Sequence, residues 1–147
     1  MQMREVHQYL QTRWRGSTYK TNTWSALGTT TVGVATQARS LLSIGNDLYV
    51  GGVFTTAGGV SANNVARFNI QTNTWSALGS GVNNASFALA RSGDTLFVGG
   101  NFTLSGSFSI NRVARYIISA NKWERLWSGA GLDGEVRTLF VSANLVA

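Results

Sequence analysis

The chain has 147 residues, of which 44% are hydrophobic, and carries a formal net charge of +6. It contains no cysteine, which excludes disulfides, thiolate metal sites and cysteine nucleophiles. Its longest apolar runs are far shorter than the ~20 residues that cross a bilayer as a helix, so the sequence predicts no membrane span.

Residues 1–21 form a basic N-terminal segment, which we expect to be a partly degenerate repeat. Residues 12–14 are expected to be a degenerate copy of the third strand of a unit. This segment contains one acidic side chain, Glu5, and four basic side chains: Arg4, Arg13, Arg15 and Lys20. Basic arms can contact nucleic acid or anionic surfaces. The other basic residues are spaced singly, without interleaved aromatic platforms, so a solvated segment is preferred and nucleic-acid binding is not expected. The segment also lacks the apolar stretch of a signal peptide.

The rest of the chain repeats at an offset of 48 residues. Residues 48–78 align with residues 96–126 without a gap, with identical residues at 16 of 31 positions. Upstream, residues 22–28 are identical to residues 73–79, at an offset of 51. Repetition over this length predicts a repeat architecture.

Each complete unit is predicted to contain four antiparallel strands. In the first complete unit these segments are rich in β-branched, aromatic and aliphatic residues: 38–43, 48–55, 64–70 and 74–78. Turn-forming residues separate them, such as Asn46-Asp47, Gly58-Gly59 and Asn73. Four strands in such a unit match the size of a β-propeller blade. The sequence therefore predicts an all-β fold, a partial β-propeller.

Residues 22–147 are predicted to hold two nearly complete units and two partial ones, about 2.5 blades. Residues 134–141 are predicted to be a further first strand, and residues 145–147 the opening of a second. Because closed propellers use about four to eight blades, we expect a fragment of a larger propeller or a truncated reading frame. Closure by oligomerisation is the alternative, and open strand edges invite self-association.

Glycine and tryptophan recur at fixed positions in the units. The pair Gly51-Gly52 is expected to let neighbouring backbones converge, since a Cβ would block that approach. Trp75 and Trp123 are expected to be equivalent, largely buried residues between adjacent sheets.

These residues resemble the kelch motif, which has a glycine pair, a later aromatic residue and then a tryptophan. Gly51-Gly52, Phe68 and Trp75 match that order. The fuller segment 49–68 is similar to the kelch-like repeats of bacterial secreted propellers and of the fungal cortical polarity-marker group. The resemblance covers about residues 22–140. It implies a propeller that serves as a scaffold or recognition surface, with an extracellular or cell-surface location, and it implies no specific activity.

Few residues are suited to catalysis. His7 is the only histidine, and no Gly-x-Ser-x-Gly elbow accompanies it. Asp47 and Asp94, assigned to equivalent turn positions, are expected to cap turns. Asp133 and Glu135 lie close together but lack a third ligand in calcium-loop spacing. We therefore predict that the protein is not an enzyme, with no catalytic, cofactor-binding or metal-binding residues and no cofactor.

Two further patterns are candidates for other roles. Arg67 and Arg115 occupy the same position in both units and are expected to tie neighbouring strands through backbone carbonyls. The competing interpretation is an inward ring of arginines that binds an anion. Asn84-Ala-Ser86 and Asn101-Phe-Thr103 match the glycan-acceptor sequence, although such triplets arise easily by chance in a chain rich in these residues.

The leading functional hypothesis is a non-enzymatic interaction module that displays loops for protein or carbohydrate binding, its ligand unidentified. The alternative is a purely structural repeat segment of a long surface or adhesion protein. Varied loops with exposed aromatics favour binding, whereas near-identical Gly, Ser and Asn loops favour structure. Residues 28–47, which are three longer than their counterpart, form the one loop that departs from the repeat.

Overall fold

The computed structural model describes residues 26–28, 33–128 and 131–142. Regular structure in these residues is entirely β, in twelve strands: β1 (Gln37–Ile44), β2 (Asp47–Val53), β3 (Thr56–Ala57), β4 (Val60–Ser61), β5 (Val65–Asn69), β6 (Thr74–Ala77), β7 (Ser86–Ser92), β8 (Thr95–Gly100), β9 (Leu104–Ser105), β10 (Phe108–Ser109), β11 (Val113–Ile117) and β12 (Lys122–Glu124). These ranges contain no helix of the length and apolarity that a membrane span requires.

Eight strands form two four-stranded antiparallel sheets. The first sheet has the order β1-β2-β5-β6, and the second has the same order one repeat later, β7-β8-β11-β12. Within the described residues neither sheet closes into a barrel. The predicted all-β fold of repeated four-stranded blades is therefore confirmed, with two complete blades described.

The four strands predicted for the first unit match β1, β2, β5 and β6, with ends that differ by at most two residues. The sequence interpretation missed two short hairpins, β3–β4 and β9–β10, between the second and third strands of each sheet. Single bridges, Val34 to Ala57 and Val82 to Ser105, tie the hairpins to the chain that enters each first strand.

The predicted strand over residues 134–141 is wrong. That segment contains no strand, although a backbone hydrogen bond from Val136 to the Gly100 carbonyl, 3.1 Å long, holds it against the second sheet. A strand exists only by pairing, and the part of the chain that the structure describes places no free strand beside this segment. The predictions for residues 12–14 and 145–147 fall outside the described residues.

A shared apolar core joins the two sheets. Tyr49, Val65 and Leu78 of the first unit pack against a larger group from the second unit: Leu96, Val98, Phe102, Ile110, Ala114, Tyr116 and Trp123. Side chains alternate between the faces of a strand, so Leu48 and Val50 point to the opposite face of the first sheet. There they join a second core cluster with Leu27, Ala66, Phe68 and Trp75.

The indole of Trp123 connects the second unit to the first. The Trp123 side chain is buried, and its Nε1 donates a hydrogen bond of 2.7 Å to the backbone carbonyl of Leu78. Trp75 repeats the arrangement one unit earlier, with a 3.0 Å bond to the carbonyl of Leu27. The two tryptophans are therefore equivalent and buried, as predicted, and each bond crosses the boundary between successive units.

Trp123→Ala is expected to lower the free energy of unfolding by about 3–5 kcal/mol, the usual result of truncating a buried aromatic side chain. Trp123→Phe should cost about 1–3 kcal/mol, because it leaves the Leu78 carbonyl without its donor. Urea denaturation followed by far-ultraviolet circular dichroism measures both. The control is Trp127→Ala, since Trp127 is exposed. Equal stability of Trp123→Ala and the unmodified chain would contradict the connecting role.

Candidate interaction site

A β-bulge interrupts the first strand of the first sheet. Ala38 pairs with Gly52 and Ser40 pairs with Gly51, so Arg39 is an extra residue without a partner on β2. A bulge bends its strand and redirects the side chain of the extra residue, and bulges are over-represented next to active sites.

The second sheet carries the same bulge one repeat later. Ser86 and Ala88 pair with Gly100 and Gly99, which leaves Phe87 as the extra residue. Phe87 is half-buried, and its strand, β7, packs against the first two strands of the first sheet.

The glycine pair is required by this geometry. A Cβ on Gly52 would lie 1.9 Å from the carbonyl oxygen of Gln37, in the bulged strand. A Cβ on Gly51 would lie 2.5 Å from the Ser86 hydroxyl oxygen, in the neighbouring sheet. Gly51 therefore permits the predicted close approach of the two sheets, and Gly52 permits the bulge.

The two bulge residues meet side chains of the following unit and form what we call the bulge site: Arg39, Phe87, Glu135 and Arg137. These four residues line a depression of about 390 Å³. The guanidinium carbon of Arg39 lies 5.5 Å from the centroid of the Phe87 ring, and that of Arg137 lies 6.0 Å from it. Both distances are within the range of cation–π contacts.

The bulge site carries more positive than negative charge. Arg137 pairs with Glu135 at 2.9 Å. Arg39 donates a hydrogen bond of 2.8 Å to the side-chain oxygen of Gln37, and within the described ranges it has no carboxylate partner. Both arginines are exposed. Guanidinium N–H groups of two arginines are therefore accessible beside a half-buried aromatic ring.

Three residues of the bulge site are repeat equivalents. Positions 39, 87 and 135 are separated by 48 residues each, and they hold a cation, an aromatic ring and an anion. The glycine pair and the tryptophan keep their identity between the two complete units. The sequence interpretation missed this site because the aligned segments were residues 48–78 and 96–126. Extending that alignment upstream pairs position 39 with 87, and extending it downstream pairs position 87 with 135.

Arg67 and Arg115 tie neighbouring strands, but not through the predicted backbone carbonyls. Arg67 Nε donates to the Ser76 hydroxyl at 3.1 Å and lies 3.8 Å from the Asp47 carboxylate. Arg115 pairs with Glu124 at 2.9 Å. Ser76 and Glu124 lie directly opposite these arginines on the adjacent strands, so side-chain partners are within reach. This pairing favours the strand tie over an anion-binding arginine ring.

Asp47 and Asp94 are not strictly equivalent, because Asp47 begins β2 and Asp94 lies in the turn before β8, one position earlier in the repeat. Asp47 accepts a hydrogen bond of 2.8 Å from the Asn69 amide. Asp94 accepts one of 3.1 Å from the backbone N–H of Ser119 and another from its hydroxyl. Asp94 thus caps the turn at Ser119, as predicted, whereas Asp47 accepts from a side chain on the paired strand β5 and caps no turn through this bond.

The candidate calcium ligands take different positions. Glu135 belongs to the bulge site, and Asp133 is exposed. The part of the chain that the structure describes contains no group of three or more His, Cys, Asp or Glu residues that could hold a metal ion. His7 and the rest of the basic segment 1–21 lie outside that part.

The two glycan-acceptor triplets differ in accessibility. Asn84 is exposed, but Ser86 of the same triplet is fully buried. Asn101 is half-buried, and its side-chain oxygen accepts a hydrogen bond from Arg112, whereas Thr103 is exposed. Neither triplet presents both its asparagine and its hydroxyl residue as freely exposed side chains.

Within the segment 28–47, β1 occupies residues 37–44, and Val34 bridges to Ala57 shortly before β1 begins. Residues 29–32, which carry the threonines that distinguish this segment from its counterpart, lie outside the described residues.

Two buried tyrosines lie in the core between the sheets. Burial raises the pKa of the Tyr49 phenol, and the nearby Asp47 carboxylate raises it further. Burial also raises the pKa of Tyr116, against the opposing effect of the Arg67 guanidinium. Both phenols are therefore neutral at ordinary pH.

Comparison of the sequence with protein-family models and with curated proteins gave no match. The resemblance to kelch-like repeats therefore stays a prediction. The fold and the site together define an all-β repeat protein with a cationic, aromatic surface site at its strand bulges.

The position before the third strand of each sheet adopts a left-handed backbone in both units. Asn64 has a φ of 61° and Arg112 has a φ of 70°. The Asn64 side chain suits this conformation, because it accepts a 3.1 Å hydrogen bond from Phe54 and donates a 2.8 Å bond to the Val82 carbonyl. Arginine tolerates a left-handed backbone less well than asparagine.

Arg112→Asn is expected to raise the free energy of unfolding by about 1 kcal/mol, because asparagine relieves the left-handed backbone cost. The reciprocal change, Asn64→Arg, should lower it by about 1–3 kcal/mol through backbone strain and two lost hydrogen bonds. Urea denaturation of the two variants provides the measurement. A less stable Arg112→Asn variant would show that the Arg112 contact with Asn101 outweighs the backbone term.

Proposed function

We propose that this chain is a non-enzymatic interaction module, a kelch-like β-propeller scaffold that binds a protein or carbohydrate partner. The observation that carries the proposal is the bulge site. Its side chains change chemistry from one unit to the next, while the glycines and tryptophans that hold the framework stay the same. A fixed framework with variable side chains at one repeated surface position is typical of recognition scaffolds.

The framework supports binding by fixing the site in advance. The two sheets are held together by the Trp123 hydrogen bond to Leu78 and by the close approach at Gly51. Arg39 and Phe87 therefore keep a defined separation before any ligand arrives. A preorganised site loses less conformational entropy on binding, which increases affinity.

The alternative, a purely structural repeat segment, is favoured by the loops between the units. Asn83 uses its side-chain oxygen to accept 2.9 Å bonds from the backbone N–H groups of Thr103 and Leu104. Its amide nitrogen donates to the Thr103 hydroxyl at 3.0 Å. Because these loop groups are occupied internally, we assign binding to the bulge site and not to the loops.

The test is a binding screen of the immobilised full chain against arrays of short peptides and of glycans. We expect at least one ligand whose affinity falls about tenfold or more in the triple variant Arg39→Ala, Phe87→Ala, Arg137→Ala, since each lost charged contact alone weakens binding by about that factor. The single variant Arg39→Ala guards against misfolding, because Arg39 is exposed. An empty screen would favour the structural alternative, and ligands unaffected by these changes would show that binding lies outside the bulge site.

A second surface, the sheet groove, lies on the face of the second sheet that points away from the first. It has a volume of about 520 Å³ and is lined by Ser92, Phe97, Val113, Leu126 and residues 139–142. Phe97, Val113 and Leu126 are the repeat equivalents of Tyr49, Val65 and Leu78, which the second sheet covers in the first unit. The groove therefore has the shape and polarity to receive another unit of this kind.

We expect the full chain to self-associate through the sheet groove, with a second copy as the partner. Phe140 borders the groove and is 89% exposed, so Phe140→Ser should shift the equilibrium toward monomer without unfolding the chain. Leu104→Ser is the matched control, because Leu104 is exposed on β9, which does not line the groove. Light scattering over a concentration series measures the effect, and a monomer at every concentration would contradict it.

A further inference from the structure

We infer that the bulge site recognises carboxylate side chains of an acidic peptide. The inference rests on the proposed function and specifies the chemical class of its ligand. It is carried by the arrangement of Arg39, Phe87, Glu135 and Arg137 in one depression.

Arg39 has the free capacity to bind an anion. Among the residues that the structure describes, its one hydrogen bond to a side chain is the 2.8 Å bond to Gln37, a neutral amide two residues away on the same strand. A guanidinium group presents five N–H donors in a planar fork that matches the two oxygens of a carboxylate. A ligand carboxylate would therefore gain charge-assisted hydrogen bonds without displacing an existing ion pair.

The site already holds a carboxylate of its own. Glu135 lies 2.9 Å from Arg137 and lines the same depression as Arg39 and Phe87. A carboxylate is thus compatible in size and charge with this surface. The ligand carboxylate would bind Arg39 first and would compete with Glu135 for Arg137, so Glu135 limits the affinity of the site.

The aromatic ring favours a peptide over a sugar or a nucleic acid. Sugars and nucleobases commonly bind by stacking on an open aromatic face. Here two guanidinium groups already lie within 6.0 Å of the centroid of the Phe87 ring. The Phe87 ring is therefore already in contact with cations. The groups that remain available to an incoming ligand are chiefly the N–H donors of the two arginines.

The experiment uses the full chain and a fluorescent, terminally blocked hexaglutamate peptide at low ionic strength, with affinity measured by fluorescence anisotropy. Hexaglutamate is expected to bind, and the neutral hexaglutamine peptide is not. Arg39→Ala and Arg137→Ala should each weaken binding about tenfold, the effect of losing one charge-assisted hydrogen-bonded contact. Glu135→Gln should strengthen binding, because it frees Arg137.

Arg125→Ala is the matched control. Arg125 lies 5.7 Å from the ring centroid of Phe108, outside the bulge site, so this variant loses the same charge and the same type of arginine–phenylalanine contact. It should bind hexaglutamate with the affinity of the unmodified chain. An equal loss in Arg125→Ala and Arg39→Ala would overturn the inference, since binding would then follow net charge alone.

Two further probes separate this inference from the proposed function. If an oligogalacturonate binds through Arg39 and hexaglutamate does not, the acidic-peptide inference fails while the interaction module stands; if only hexathymidylate binds, both fail. If hexaglutamate does not bind and the peptide and glycan screen is empty, both fail. Hexaglutamate binding that is lost in Arg39→Ala and retained in Arg125→Ala supports both.

Discussion

The hydrogen bond from the Trp123 indole to the Leu78 carbonyl is the interaction on which the rest of the structure depends. A buried carbonyl without a donor costs free energy, so the end of one unit is completed only when the next unit supplies its tryptophan. The same bond places the large apolar surface of the indole in the shared core, which also contains Tyr49 and Val65. A hydrogen bond to a buried carbonyl and the burial of a large apolar side chain therefore depend on one residue. Separating the two sheets would lose both, which makes the separation costly in free energy.

Close contact between the sheets also creates the bulge site. With glycine at position 51, the backbone of the first sheet approaches Ser86 of the second more closely than any Cβ would allow. The bulge opposite Gly51-Gly52 removes residue 39 from the regular alternation of side chains in β1. The equivalent bulge in β7 does the same for residue 87. Arg39 and Phe87, which are 48 positions apart in the chain, are thereby brought together, with 5.5 Å between the Arg39 guanidinium carbon and the centroid of the Phe87 ring. The site is a consequence of how the framework packs.

The strands and the buried tryptophans were predictable because both depend on local composition and on the repeat. The bulges were not, because register is a property of two paired strands and an extra residue leaves no mark on either one alone. Residues 134–141 show the reverse case, where strand-like composition predicts a strand that lacks a partner. Arg67 and Arg115 were correctly predicted to tie strands, but their partners depend on which side chain lies opposite, which only the register fixes.

The unpaired state of the bulge residue has a consequence for how this protein can change. A residue on a regular strand is constrained twice, by its cross-strand partner and by the face on which its side chain must pack. Positions 39 and 87 escape the first constraint, and at position 39 the second is weak because Arg39 is exposed. Substitutions there leave the ladder and most of the core untouched. Each of the two complete units thus contributes one strand residue without a cross-strand partner, and replacing these residues would change the chemistry of the bulge site while the pairing of the strands stays as it is.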